Sequence, residues 1–315
     1  MKHFVLAAAL APSAALAQSW DMPTPYGDAV FHTQNIIQFA QEVAPSGLEI
    51  TVHSAGSLFP HEEIKGAVRS GQVPAGEFLL SRLSNEDAAY GLDSQPFLAT
   101  SYDAARQLWE AQKPVITELL AAEGLMPLFS VPWPPQGLYT NGEIATVDDL
   151  SGLRFRAYNA QLEELASLAG AAPVQVEAPD LPQAFATGQV EAMMTSPSTG
   201  VSSSAWDYVT HYTPVNAWIP KNVVVVNKRA FDRLDAEVQQ AVLDAAAAAE
   251  TRGWEMSEAE ADAQTKVLAE NGMTVVEPSS ELVSGLQEIG ATMLDNLRSG
   301  ASEATVSILD AMPSN

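Results

Sequence analysis

Leu48, Ile50 and Val52 alternate with Glu49 and Thr51, and the next stretch, AGSLFPHEEIKGAVRSG, supplies a glycine turn, a short helix and a glycine stop. A period of two running into a helical segment marks a strand that feeds a helix. The same alternation recurs along the chain. Upstream, SWDMPTPYGD reads as a short strand entering a Pro/Gly turn. Asp28 is placed there to N-cap a helix whose apolar positions are Ile36, Phe39, Ala40 and Val43, and Pro45-Ser46-Gly47 stops it. Downstream, VPAGEFLL reads as a buried strand, followed by a helix over 102–122 and a strand over 126–131. A helix over 160–169, a strand over 173–176 and a short helix ending at Thr187-Gly188 come next. QVEAMM and NVVVVN are further strands, and Asp235 opens a long Ala- and Glu-rich helix that contains Gly253 and runs to Asn271-Gly272. One more strand, MTVVE, and two helices close the chain. This pattern predicts an α/β fold, most simply two lobes with mainly parallel central sheets. A length of 315 residues suits two lobes of ordinary size, and clefts between such lobes are common ligand sites.

Composition narrows the partners. The 15 Lys+Arg against 39 Asp+Glu give a formal charge of −24, and 47% of residues are hydrophobic. A folded chain this acidic has no basic face for nucleic acid or an anionic membrane surface. A small anionic ligand is still possible, because one buried arginine acts on it more strongly than a distant, screened surface field. At the N-terminus, Lys2 and His3, the apolar run over 4–10 and the small-x-small Ala15-Leu16-Ala17 form an export signal over residues 1–17. With no cysteine in the chain, neither a disulfide nor a thiol nucleophile is available. The mature protein is expected to be soluble and periplasmic.

No catalytic or metal motif emerges. His3, His32, His53, His61 and His211 are scattered, and HEEIK carries Lys65 where a zinc-binding helix needs a second histidine. Neither HSAGS nor GVSSS forms a nucleophile elbow, and no phosphate-binding glycine loop occurs. The pairs Glu62-Glu63, Asp148-Asp149 and Glu163-Glu164 read as solvated faces, although acid/base chemistry in a hydrolase or lyase is the alternative. The aromatic segments say more. VPWPPQGLYT holds Trp133, Gln136 and Tyr139 in a proline-stiffened loop, and VNAWIPKN sets Trp218 beside Pro220 and Asn222. In SGLRFRAYN, Arg154 and Arg156 share a strand face by alternation, so periodicity does not separate them. If Arg156 lies at the strand's carboxyl end, it stands where α/β ligand sites lie and can grip a carboxylate through paired hydrogen bonds.

DDLSGLRFRAYN resembles a characteristic segment of the extracytoplasmic solute-binding proteins of TRAP transporters, the DctP type. DSQPFLATSYDAA, LPQAFATGQVEAMMTSPS and THYTPVNAWIPKNVVVVNKRAFDRL are similar to further segments of that family, in order, over essentially the whole mature chain. The resemblance implies a two-lobed clamp with crossing segments and a long interdomain helix. Lobe I would be 18–133 plus 222–260, and lobe II 134–221 plus 261–315. Such a receptor is no enzyme and needs no cofactor or metal. It captures an organic acid and delivers it to two membrane partners, a small DctQ-type and a large DctM-type subunit. A receptor for an ATP-driven importer would share the two-lobed shape.

In the resemblance, Arg156 takes the family's carboxylate-gripping position and Arg154 a supporting one. The chain also departs from the pattern. Gln136 stands where sugar-acid binders often carry a second arginine, Glu191-Ala192 replaces Asp-Gly, and Met194-Thr195-Ser196 replaces Glu-Asn-Pro. Phe78-Leu79-Leu80 occupies a stretch where sialic-acid binders carry a polar contact. The expected ligand-binding set is Arg156, Trp133, Gln136, Tyr26, Phe78, Tyr158, Asn159, Thr195, Trp218 and Asn222. With few charges and many aromatics, it suits a flat acid with one carboxylate, benzoate-like. The alternative is an aliphatic hydroxy, keto or sugar acid whose hydroxyls meet Gln136, Asn159 and Asn222.

Overall fold

The computed structural model describes residues 18–312, so the export signal expected over 1–17 lies outside the described residues. The chain opens with β1 (Gln18–Pro23), α1 (Phe31–Val43), β2 (Leu48–His53), α2 (His61–Ser70), β3 (Ala75–Leu79), α3 (Tyr102–Ala122) and β4 (Leu125–Pro132). It continues through β5 (Gly137–Thr140), β6 (Arg154–Ala157), α4 (Ala160–Leu168), β7 (Ala172–Gln175), α5 (Leu181–Ala186), β8 (Ala192–Thr195), α6 (Pro197–Ser202) and β9 (His211–Thr213). Next come β10 (Lys221–Asn227), α7 (Lys228–Asp232), α8 (Ala236–Glu270), β11 (Thr274–Val275), α9 (Ser280–Gly300) and α10 (Glu303–Asp310).

The strands form two bodies. One holds the parallel pair β1-β2 beside the sheet β3-β10-β4, and the other a six-stranded sheet ordered β11-β9-β5-β8-β6-β7. Every antiparallel pairing involves β5 or β10, and the remaining pairings are parallel. The chain crosses between the bodies in segments 133–136 and 214–220, which lead from β4 into β5 and from β9 into β10, and again along α8. All of β10 is buried between its neighbours, which is why NVVVVN reads as a continuous apolar run.

The long helix α8 ties the bodies together, packing on α1 and β4 over one part and on α6 and β11 over another. Gly253 lets it approach β4, since a Cβ there would meet Val131 Cγ2 at 2.4 Å and Asn35 Nδ2 at 2.8 Å. Two local expectations need correction. Asp28 does not cap α1, which starts at Phe31 behind Val30, because a turn from the Gly27 carbonyl to the Val30 N–H carries the chain past Asp28. The MTVVE strand shrinks to Thr274–Val275, as Pro278 has no N–H with which to extend the pairing.

Candidate functional site

Arg156 lies on β6 between β7 and β8, level with Val174 and Met193, and its side chain is directed into a cavity between the two bodies. The residue is 3% exposed. Its Nε donates to the Val176 carbonyl at 2.9 Å, and the guanidinium carbon lies 4.7 Å over the Tyr158 ring. Among the described residues no carboxylate is within ion-pair distance of it. Burial pulls this guanidinium down from its usual value while Tyr158 and Glu177 push the other way. It nevertheless stays charged, since arginine does not deprotonate in proteins. A buried cation with free Nη donors is a site for one anion. Arg154, two residues back, is half exposed and pairs with Glu191 at 2.9 Å, so it has its counter-charge already.

Tyr158 is held by a chain of hydrogen bonds. Trp218 Nε1 donates to its hydroxyl at 3.2 Å, that hydroxyl donates to Gln136 Oε1 at 3.0 Å, and Gln136 Nε2 donates to the Pro134 carbonyl at 2.7 Å. Burial raises the Tyr158 phenol, keeping it a donor. The crossing segments are laced together here, with Trp133 N–H on the Pro220 carbonyl and Gln136 N–H on the Trp218 carbonyl. A second hub sits behind the opposite wall. Tyr26 OH and Trp133 Nε1 both donate to Asn222 Oδ1, at 3.2 and 2.9 Å, and Asn222 Nδ2 donates to Glu77 Oε1 at 3.0 Å. This fixes the Tyr26 and Trp133 rings edge to face, 4.9 Å apart.

Of the expected site residues, Tyr26, Trp133, Gln136, Arg156, Tyr158 and Thr195 line the cavity, whose volume is about 40 Å³. A single water needs about 10–15 Å³. Four do not line it. Phe78 packs with Ile64, Val68 and Val223, because strand alternation puts Glu77 on the side of Thr24 and Asn222. Trp218 and Asn222 stand one layer back, spending their polar atoms on Tyr158, Tyr26 and Trp133. Asn159 caps α4 through Oδ1 and donates to Ser81 Oγ at 2.9 Å, a contact between the bodies.

Eight lining residues were not expected, and three of them carry ionisable side chains: His61, Arg82 and Glu177. Arg82 Nη1 donates to Glu177 Oε1 at 2.6 Å and to the Tyr158 carbonyl at 3.3 Å. His61 Nε2 accepts the Leu79 N–H at 3.0 Å, so its proton sits on Nδ1, facing Glu177 Oε2 at 3.4 Å. Burial lowers the imidazole and keeps it neutral. Burial alone would raise the Glu177 carboxyl, but the His61 hydrogen bond and the charges of Arg82 and Arg156 outweigh it and hold it at about 2. One signal for Glu177 was in the sequence, since it follows directly on the strand expected at 173–176, where α/β ligand sites lie.

The acidic pairs carry no catalytic constellation. Glu62 and Glu63 are exposed in the first turn of α2, where the helix dipole favours them, and Asp149 caps the turn behind Thr146. Among the described residues no cluster could hold a metal ion, and no helix is long and apolar enough to cross a membrane.

Comparison with known proteins agrees with this geometry. The family model for DctP, bacterial extracellular solute-binding protein family 7, matches residues 20–299. DctP7 of Bordetella pertussis, an extracytoplasmic solute receptor binding pyroglutamic acid, is 47% identical and superimposes with a TM-score of 0.92 over 94% of this chain and 99% of its own. DctP6 of the same organism, also binding pyroglutamic acid, is 44% identical with a TM-score of 0.92 over 93% and 99% of the two chains. A TRAP solute-binding protein from a marine metagenome, in complex with co-purified pyroglutamate, is 38% identical with a TM-score of 0.92 over 94% and 99%. These relatives are solute receptors, and this chain, two-lobed like them, belongs to the DctP family of bacterial extracellular solute-binding proteins.

Proposed function

We propose that the protein is the periplasmic receptor of a TRAP transporter for pyroglutamate or a closely similar small cyclic monocarboxylate. The observation that carries this reading is Arg156, a buried guanidinium without a carboxylate partner, facing a small cavity walled by Tyr26, Trp133 and Tyr158. The identities of 38–47% with three receptors that bind pyroglutamate support the choice of acid. So does the polar lining. Pyroglutamate has a flat lactam ring with an N–H and a C=O, and Glu177 and the Thr195 hydroxyl offer an acceptor and a donor beside Arg156. A benzoate ring stacks equally well but leaves both groups unmatched, which costs affinity.

The lobe boundaries belong to the same proposal, with residues 18–133 plus 222–260 as lobe I and 134–221 plus 261–315 as lobe II. The segments that lead from β4 into β5 and from β9 into β10, at the two proposed changeovers, support them. Delivery to small DctQ-type and large DctM-type membrane subunits, after export directed by residues 1–17, completes the reading. Calorimetric titration with L-pyroglutamate, benzoate, galacturonate and succinate tests it. Tight one-site binding of pyroglutamate above the other three is expected, and a preference for any of those three refutes the ligand assignment.

A further inference from the structure

Two guanidiniums line the cavity among the described residues, yet only one is available to a ligand. Arg82 reaches in from one body and meets Glu177 from the other at 2.6 Å. The remaining titratable lining groups are neutral, His61 because its Nε2 accepts the Leu79 N–H, and Tyr26 and Tyr158 because burial raises their phenols. Arg156, Arg82 and Glu177 therefore leave one net positive charge at the cavity.

We propose that Glu177 is an internal counter-anion, a resident carboxylate that occupies the place of a second ligand carboxylate and so restricts the receptor to monoanionic acids. This rests on the organic-acid reading above and names its specificity determinant. The geometry gives Glu177 this role in two ways. Its oxygens are held by donors from the opposite body, Arg82 Nη1 and His61 Nδ1, so it stands in the closed cleft as a ligand group would. Arg82 has a second anchor, the Tyr158 carbonyl at 3.3 Å. Neutralising Glu177 therefore leaves a cation in place at the cavity wall, not one that swings out to solvent. A buried, unpaired cation recruits an anion, and a dicarboxylate brings one.

The test uses the mature protein stripped of ligand, in wild-type, Glu177→Gln, Arg82→Gln and double-variant forms. Each is checked for folding by circular dichroism and titrated calorimetrically with L-pyroglutamate, glutarate and succinate. Wild type should bind pyroglutamate and neither dicarboxylate, whereas Glu177→Gln should gain at least about tenfold in affinity for glutarate or succinate, as expected for a freed buried charge. Arg82→Gln should lose pyroglutamate affinity, and the double variant should regain it, because one net positive charge is restored. A purely structural contact between the bodies would also show partial rescue in the double variant, because residues of one ion pair are energetically coupled, but it would bring no affinity for a dicarboxylate. The absence of any dicarboxylate gain in Glu177→Gln, or a double variant that gains it equally, overturns the proposal. If Glu177→Gln does not fold, the double variant decides, since it should bind pyroglutamate and reject glutarate. If wild type does not bind pyroglutamate, the ligand reading fails separately, and the glutarate and succinate titrations still decide the role of Glu177.

Discussion

The guanidinium of Arg156 lies 4.7 Å over the ring of Tyr158, whose hydroxyl is pinned between Trp218 Nε1 and Gln136 Oε1. The aromatic face supports the cation from below, and the Val176 carbonyl fixes Nε, so the Nη edge stays directed at the cavity. Binding in such a site draws on pre-organisation, since no protein partner has to be displaced.

Tyr158→Phe keeps the ring under Arg156 but leaves Trp218 Nε1 and Gln136 Oε1 buried without their shared partner. It should destabilise the protein by about 1–3 kcal/mol, measured by urea denaturation. Affinity for the acid should fall less than stability does.

Gly253→Ala sets two effects against each other. Alanine in a helix interior gains about 1 kcal/mol over glycine. Here its Cβ would meet Val131 Cγ2 at 2.4 Å, in a strand with little room to give. Overpacking of this kind costs about 1–3 kcal/mol, so the variant should melt at a lower temperature than wild type.

Stability should fall in two pH windows. His61 is buried, its pKa is lowered, and protonation of Nε2 would break the Leu79 hydrogen bond. The unfolded chain then binds the proton more readily, so stability drops as pH falls below about 6.5, by at most about 1.4 kcal/mol per pH unit for this group. Glu177, held at about 2, contributes stability that is present above the ordinary glutamate range and is lost as pH falls toward 2. Denaturation midpoints followed from pH 8 to pH 3 check both windows; His61→Gln should weaken the first without abolishing it, because buried His32 is also lowered, and should shrink the second, because Glu177 loses the His61 hydrogen bond.

Arg156→Lys should not rescue binding. Lysine supplies a point charge but neither the Nε bond to Val176 nor a planar fork for a carboxylate. A loss close to that of the alanine variant is expected by calorimetry, while Arg154→Ala, whose charge is already paired with Glu191, should bind nearly as wild type does.

Much of this fold was legible because its signals are local. The period-two run at Leu48–His53 and the stretch between Asp235 and Asn271 mark β2 and α8 by pattern and punctuation alone. The placement of Arg156 at the cavity was legible from its position near the carboxyl end of a strand. Phe78 was misplaced because VPAGEFLL is buried throughout, leaving no polar alternation to say which face meets the cavity. The Glu177–Arg82 pair was not legible, since its partners are 95 residues apart and meet only when the two bodies close on one another. No periodicity encodes such a contact.

The most direct measurement is calorimetric titration of L-pyroglutamate into wild type and Arg156→Ala side by side. The account predicts saturable one-site binding to wild type and a loss of about a hundredfold or more in the variant, the magnitude of removing one partner from a buried charge pair. Equal affinity of the two proteins would contradict it.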